Sequence, residues 1–360
     1  MKNFFKTILA LIFLLASVIP IGCGNQASAK DFYYFNTEIH VETHDKTMSN
    51  DTVQRLNALF SSLEEEFDLR IDDSFTSAFN SCTSTTLSIS ERASEILVTA
   101  KECWQFTGGL FNPSVYPLVE LWQFAPVYPV LNFTPPTSQA IAQTLNDYSY
   151  DFSSLTLDLE HLKVTTPEKS MQIDLGGILK GYAADKSAKI LKDAGHTSGY
   201  VAVGSSSLNL LSVKSLGIRH PRATDSAPLI ITVDTDGQKN LSVSTSGDYQ
   251  KYYEYDGKRY SHLINPSSGY PADSSIISAT IIGVDGTVAD ALTTALCLLE
   301  YTPTSTSSPL TNMIKKITTT YPEASVYAVY LDEERKLILT NKKQGEDFTL
   351  HDTDYEVINV

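Results

Sequence analysis

Three segments hold polar residues at spacings suited to phosphate and metal chemistry. In the first, Asp174-Leu-Gly-Gly-Ile-Leu-Lys-Gly-Tyr-Ala-Ala-Asp185, a short strand is expected to end at Asp174 and a helix to begin near 177–180. Paired glycines let a ligand approach the backbone, and free amides at a helix N-terminus attract anions, with Lys180 one turn further in. The same residues also suit an ordinary strand-to-helix turn, and neither Gly-x-Gly-x-x-Gly nor a P-loop ending is present.

The second segment runs Val284-Asp-Gly-Thr-Val-Ala-Asp-Ala-Leu-Thr-Thr-Ala-Leu-Cys-Leu-Leu299, a helix that Thr287 can cap. Asp290 and Thr294, four residues apart, fall on one face of it. The rest of that helix is apolar, so a stacked carboxylate and hydroxyl need a reason. A hard cation such as Mg²⁺, which takes oxygen ligands and few protein groups, is one; reinforcement of the helix N-terminus by Asp290 is the other. In the third segment, 244–271, Asp256-Gly257 reads as a hairpin turn, and His262 follows at a strand end before the Pro266 and Gly269 loop. That placement suits proton transfer as well as a purely structural histidine.

The elements that must position these groups form a mixed α/β pattern. Alternation over 32–42 predicts a first strand, and Val53, Leu56, Phe60, Leu63 and Phe67 predict a helix capped at Asp51. A second helix spans 90–104, capped at Ser90 and stopped by Gly108-Gly109. Residues 123–143, with four prolines, read as an irregular insertion followed by a short helix at 138–145; 324–331 and 336–341 read as a hairpin. No internal repeat is visible.

With 360 residues, 42% hydrophobic and 19% charged, the chain can bury a sizeable core. A net charge of -15 excludes nucleic acid as the natural partner, because phosphate binding there needs clustered Lys and Arg. Lys2 and Lys6, an apolar run to Gly22 and then Cys23 read as a signal peptide over 1–22 and a lipidated Cys23, followed by a linker over 23–31, with a plain signal peptide as the alternative. This places the mature protein on the extracytoplasmic face of a bacterial cell membrane, held by its N-terminal lipid. A Cys82–Cys103 disulfide is possible in that compartment, and Cys297 reads as a buried small hydrophobe.

Together the three segments resemble the FAD:protein FMN transferase family, the ApbE-like flavin transferases. The likeness rests on Asp174 to Asp185, on Thr245-Ser-Gly-Asp-Tyr249 and on the helix from Gly286 to Leu296. Thr107-Gly-Gly-Leu-Phe-Asn-Pro113, Ser77-Ala-Phe-Asn80 and Gly217-Ile-Arg-His-Pro-Arg222 add to it, over about 32–341. Some positions depart: Asn265 stands for the usual Asp, Ser268 for Thr, Ser205-Ser206 for a Gly-Asp pair, Phe35-Asn36 for Met-Gly, and Arg70 for an aromatic.

The resemblance implies an α/β (mixed α+β), T-fold-like catalytic domain over 32–345, in one unit or two lobes, with a tail at 346–360. It implies FAD as substrate, held by Gly109, Leu110, Phe111, Asp174, Lys180 and the Ile264 backbone. It also implies Mg²⁺ on the Gly177 carbonyl, Asp290 and Thr294, with His262 assisting proton movement. The reaction would split FAD, release AMP and leave FMN on a Thr (or Ser) of an exported acceptor flavoprotein, in an Asp/Ser-Gly-Ala-Thr context that this chain lacks. An FAD pyrophosphatase and a non-catalytic FAD-binding lipoprotein are the alternatives.

Overall fold

The computed structural model describes residues 27–82, 84–125, 130, 132–166, 170–224, 227–303 and 307–360; Cys23 and the expected signal segment lie outside them. One nine-stranded sheet organises the chain, and its strands lie side by side in chain order. They are β1 (Ser28–Tyr34), β2 (Thr37–Thr43), β3 (Gly199–Val203), β4 (Ser207–Ser212), β5 (Lys239–Gly247), β6 (Ile276–Ile282), β7 (Ser325–Leu331), β8 (Lys336–Thr340) and β9 (Glu356–Asn359). Neighbours are antiparallel except β8 and β9.

All seven residues of β6 are buried, so both faces of the sheet are covered. One face carries α1 (Asn50–Phe67), α2 (Glu91–Thr107), α3 (Gly176–Asp193) and α4 (Gly286–Cys297). The other carries a three-stranded sheet of Ser215–Thr224, Ala227–Asp234 and Phe348–Leu350, packed through Leu216, Ile231 and Phe348 onto Leu208, Ile282 and Tyr327. Apolar packing on the helical side forms two clusters, one around α1 to α3 and one around α4, bridged by Leu110 and Val288 and backed by the same sheet. The mixed α/β expectation therefore holds.

Several boundaries differ from the expected ones for local reasons. The strand expected at 32–42 is the β1–β2 hairpin, turned by Phe35 and Asn36 at φ 55° and 54°. Two non-glycine residues in left-handed conformation leave little trace in sequence. Ser49, not Asp51, caps α1 by accepting from the Thr52 amide at 3.1 Å. Asp285, not Thr287, caps α4, accepting from the Thr287 amide at 3.1 Å. The strand expected to end at Asp174 is not formed over the described residues 170–175: the Asn80 side chain accepts from Ile173 N at 2.6 Å and donates to Ile173 O at 2.9 Å, satisfying the backbone as a strand partner would.

The stretch expected as a tail supplies Phe348–Leu350 and β9, so it belongs to the fold. Helix α2 is capped by Ser90 and ended by Gly108 at φ 65°, as its sequence predicts. Cys82 is exposed, Cys103 and Cys297 are buried, and all three are free thiols. Among the described residues no helix is long and apolar enough to cross a membrane.

Candidate active site

A cleft of about 470 Å³ opens where the β1–β2 turn, the loop after α1, the N-terminus of α3, the end of β5 and the Asp290–Thr294 turn of α4 meet. Leu110, Phe111, Asp174, Gly177, Lys180, His262, Ile264, Asp290 and Thr294 all line it. Gly109 does not. It sits at φ 85° against the Trp104 indole, and a Cβ there would stand 3.4 Å from Trp104 Nε1. Its role is to turn the chain so that Leu110 and Phe111 reach the cleft.

Helices α3 and α4 cross so closely that a Cβ on Gly181 would lie 1.9 Å from the Gly286 carbonyl oxygen. This contact brings Asp290 to α3. Asp290 is 2% exposed, and its Oδ2 accepts from the Gly181 amide at 3.1 Å. Oδ1 accepts from Ser244 Oγ at 2.9 Å and Ser207 Oγ at 3.3 Å. Ser207 and Ser244 are direct cross-strand partners on β4 and β5, so one rung of the sheet holds the carboxylate. All these donors are neutral groups, and between them they fix both oxygens of the buried carboxylate.

A cation already stands there: Lys180 Nζ lies 3.8 Å from Asp290 Oδ2 and donates to Gly176 O at 3.0 Å. Thr294, one turn beyond Asp290, faces the same space, and a Cβ on Gly177 would be 3.8 Å from its hydroxyl. Among the described residues no group of three or more His, Cys, Asp and Glu could share a metal ion, which does not suit zinc. One carboxylate with a hydroxyl and a carbonyl is instead an oxygen set that fits Mg²⁺, whose remaining positions are ordinarily filled by water and substrate phosphate.

Positive charge gathers along the rest of the cleft, in a chain of net charge -15. Lys251 and Arg70 line it with Lys180. Burial lowers the Lys251 pKa, and the charge of Lys180 adds to the effect. Arg70 is clamped in plane by Asp68, with Nε to Oδ1 at 2.9 Å, and by Glu64 at 3.4 Å. Asp174 turns back to accept from the Gly176 amide at 2.7 Å, which orders the entry to α3.

His262 leaves the Tyr252–Tyr255/Lys258–Ser261 hairpin as expected. Burial lowers its pKa to about 3, assisted by the charges of Lys251 and Lys180, so the ring is neutral at neutral pH. Its Nδ1 lies 3.1 Å from the Lys251 carbonyl, an acceptor, which assigns the ring proton to Nδ1 and leaves Nε2 able to accept one. Phe124 packs edge-on to the ring at 6.3 Å and stands 5.0 Å from Tyr253, so the start of the 123–143 insertion buttresses the hairpin. Asn265, where the family usually has Asp, accepts from the Ser267 and Ser268 amides at 2.9 and 3.2 Å. An amide oxygen forms that turn as well as a carboxylate does.

Sequence reading assigned no role to Ser207, Ser244 or Lys251. A serine on a strand is commonplace, and only the register that pairs β4 with β5 reveals two of them under Asp290. Lys251 has a usable signal: it is a cation six residues after Thr245 within the 244–271 segment.

Comparison with known proteins follows the same line. The ApbE family model matches residues 35–306. The FAD:protein FMN transferase of Treponema pallidum is 28% identical over 303 residues, 78% of this chain and 82% of that protein. That of Escherichia coli K12 is 30% identical over 226 residues, 59% of this chain and 60% of that protein. The ApbE crystal structure from Thermotoga maritima superposes with TM-score 0.72 at 25% identity, over 85% of this chain and 94% of that one. The flavin transferase ApbE of Vibrio cholerae shares the fold with TM-score 0.72 at 20% identity, over 87% of this chain and 97% of that one. This chain belongs to the ApbE family.

Proposed function

We propose that the protein is an FAD:protein FMN transferase that moves FMN from FAD to a Thr (or Ser) hydroxyl of an exported flavoprotein and releases AMP. The observation that carries this reading is the buried, neutrally held carboxylate of Asp290 beside Thr294 and Gly177, at the end of a cleft lined by Lys180, Lys251 and Arg70. Such a site suits a substrate that brings a diphosphate and a divalent cation together. Relatives that carry the name FAD:protein FMN transferase support it.

The acceptor hydroxyl oxygen forms a bond to the FMN phosphorus as the bond from that phosphorus to the AMP phosphate oxygen breaks. The hydroxyl proton passes to His262 Nε2, and Lys180 with the α3 amides holds the departing phosphate. Asp290, Thr294 and the Gly177 carbonyl would hold Mg²⁺, which would supply charge neutralisation on the diphosphate. Leu110, Phe111 and the Ile264 backbone hold the flavin and fix it against the attacking oxygen. Incubation with FAD, Mg²⁺ and an acceptor domain carrying an Asp/Ser-Gly-Ala-Thr site should yield a covalent FMN adduct and free AMP. AMP without adduct identifies a pyrophosphatase, and neither product identifies a binder.

Lys180→Ala is expected to weaken FAD binding, because the ammonium is a fixed cation at the diphosphate end of the cleft. A single charge-assisted contact is worth roughly 1.5–3 kcal/mol, so the dissociation constant should rise about 10- to 100-fold. A flavin-fluorescence titration giving the wild-type constant would show that Lys180 serves only Gly176 and Asp290.

The N-terminal sequence, an apolar run to Gly22 followed by Cys23, supports a place on the outer face of the membrane through a lipidated Cys23. Cys23→Ser should shift the protein from membrane to soluble fraction with its transfer activity intact. Retention of the variant in membranes equal to wild type defeats the anchor.

A further inference from the structure

Two Gly-x-x-x-Asp spacings in the sequence become a reciprocal clasp in the structure. Gly181 and Asp185 lie four apart on α3, and Gly286 and Asp290 lie four apart on α4. The Gly181 amide donates to Asp290 Oδ2 at 3.1 Å, and the Gly286 amide donates to Asp185 Oδ2 at 2.6 Å. Each carboxylate therefore holds the backbone of the other helix at the Gly181–Gly286 crossing.

The sheet beneath repeats the pattern. Ser207 and Ser244 form one cross-strand pair, and Ser242 and Asn209 form the next pair on the same face. The first pair holds Asp290 Oδ1. The second holds Asp185 Oδ1, through Asn209 Nδ2 at 2.8 Å and Ser242 Oγ at 2.6 Å. Asp290 lines the cleft and Asp185 does not, so only one of the twin carboxylates meets a ligand.

Asp185 adds a constraint that no cap supplies. Asp285 already satisfies the Thr287 and Val288 amides of α4, but the Gly286 amide goes to α3. Without Asp185, α4 keeps its cap and loses one of its two hydrogen-bonded ties to α3, the one at its first turn. The Gly181 amide matters as well: in a regular helix it serves the carbonyl four residues back, Gly177 O, and its donation to Asp290 competes with that bond. The clasp thus sets two things at once, the distance from α4 to α3 and the freedom of the Gly177 carbonyl.

We propose that Asp185 is a positioning residue for the cation site: by tying the first turn of α4 to α3 it holds Asp290 and Thr294 at the spacing from Gly177 that Mg²⁺ needs. This rests on the reading of Asp290 and Thr294 as metal ligands. The test is a titration of the full chain with Mn²⁺ as the probe metal, bound fraction read by electron paramagnetic resonance, alongside FAD binding in EDTA. Asp185→Ala should weaken Mn²⁺ binding about 10- to 100-fold, the usual cost of removing an outer partner of a metal ligand. Asp185→Asn, which keeps an acceptor for the Gly286 amide, should recover part of the loss. Ser242→Ala should show a smaller loss in the same direction.

FAD affinity in EDTA should stay at the wild-type value in all three, which a general loosening of the fold would not allow. A wild-type Mn²⁺ constant in Asp185→Ala, with binding lost in Asp290→Ala, overturns the positioning role and leaves the metal site standing. Equal Mn²⁺ binding by Asp290→Ala and wild type overturns both. If Asp185→Ala does not fold, wild-type constants in both Asp185→Asn and Ser242→Ala overturn the proposal.

Discussion

Asp290→Ala is expected to abolish FMN transfer at ordinary Mg²⁺ concentrations, with a fall of at least about a hundred-fold, equivalent to roughly 3 kcal/mol of transition-state stabilisation. Asp290 is the one carboxylate in the proposed ligand set, so its loss leaves two neutral oxygens for a divalent cation. Thr294→Ala should be milder, because water can replace a hydroxyl ligand. Folding is the confounder, and the structure locates it. The substitution removes the acceptor that the Gly181 amide and the hydroxyls of Ser207 and Ser244 share, and each donor left unpaired costs about 1–3 kcal/mol where water cannot enter. Turnover must therefore be paired with a melting curve in EDTA, where neither protein holds metal. A folded Asp290→Ala enzyme with near wild-type turnover would mean that the diphosphate is neutralised by other residues, Lys180 and Lys251 foremost.

His262→Ala should lower transfer turnover about 10²- to 10⁴-fold, the usual worth of a positioned acid–base group, with FAD affinity changed only a few-fold. Equal losses in turnover and affinity would make His262 a wall of the flavin site and nothing more. The pH dependence gives a second readout. The folded pKa, about 3, lies below the unfolded value near 6.5, so folding releases a proton between those limits. The neutral ring's contribution to stability is fully present above about pH 6.5 and is lost as pH falls toward 3. Melting temperature should therefore fall less steeply between pH 7 and 4 in His262→Gln than in wild type, since glutamine has no proton to gain. Parallel curves would show that the ring is not held neutral by its burial. Because FAD brings negative charge into the cleft, the acid limb of the turnover profile should sit above pH 3.

Much of this protein is determined along the chain itself. Ser90 and Gly108 bound α2 because a serine oxygen and a glycine in left-handed conformation satisfy helix ends wherever they occur. Asp290 and Thr294 share a face because four residues make about one helical turn. The Asp256-Gly257 turn delivers His262 to a strand end for equally local reasons. What sequence left open is contact between segments far apart in the chain. Ser49 caps α1 as Ser90 caps α2, but the Phe35-Asn36 turn and the Asn80 clasp on Ile173 have no periodic signature, so β1–β2 reads as one strand and the stretch ending at Asp174 as another. The twin carboxylates illustrate the limit most clearly. Asp185 and Asp290 each follow a glycine by four residues, and nothing in that spacing tells which one faces a ligand. The Gly181–Gly286 crossing and the register of β4 on β5 decide it, because hydrogen bonds between residues 83 and 109 positions apart depend on how helices and strands pack, and that packing is a property of the whole core.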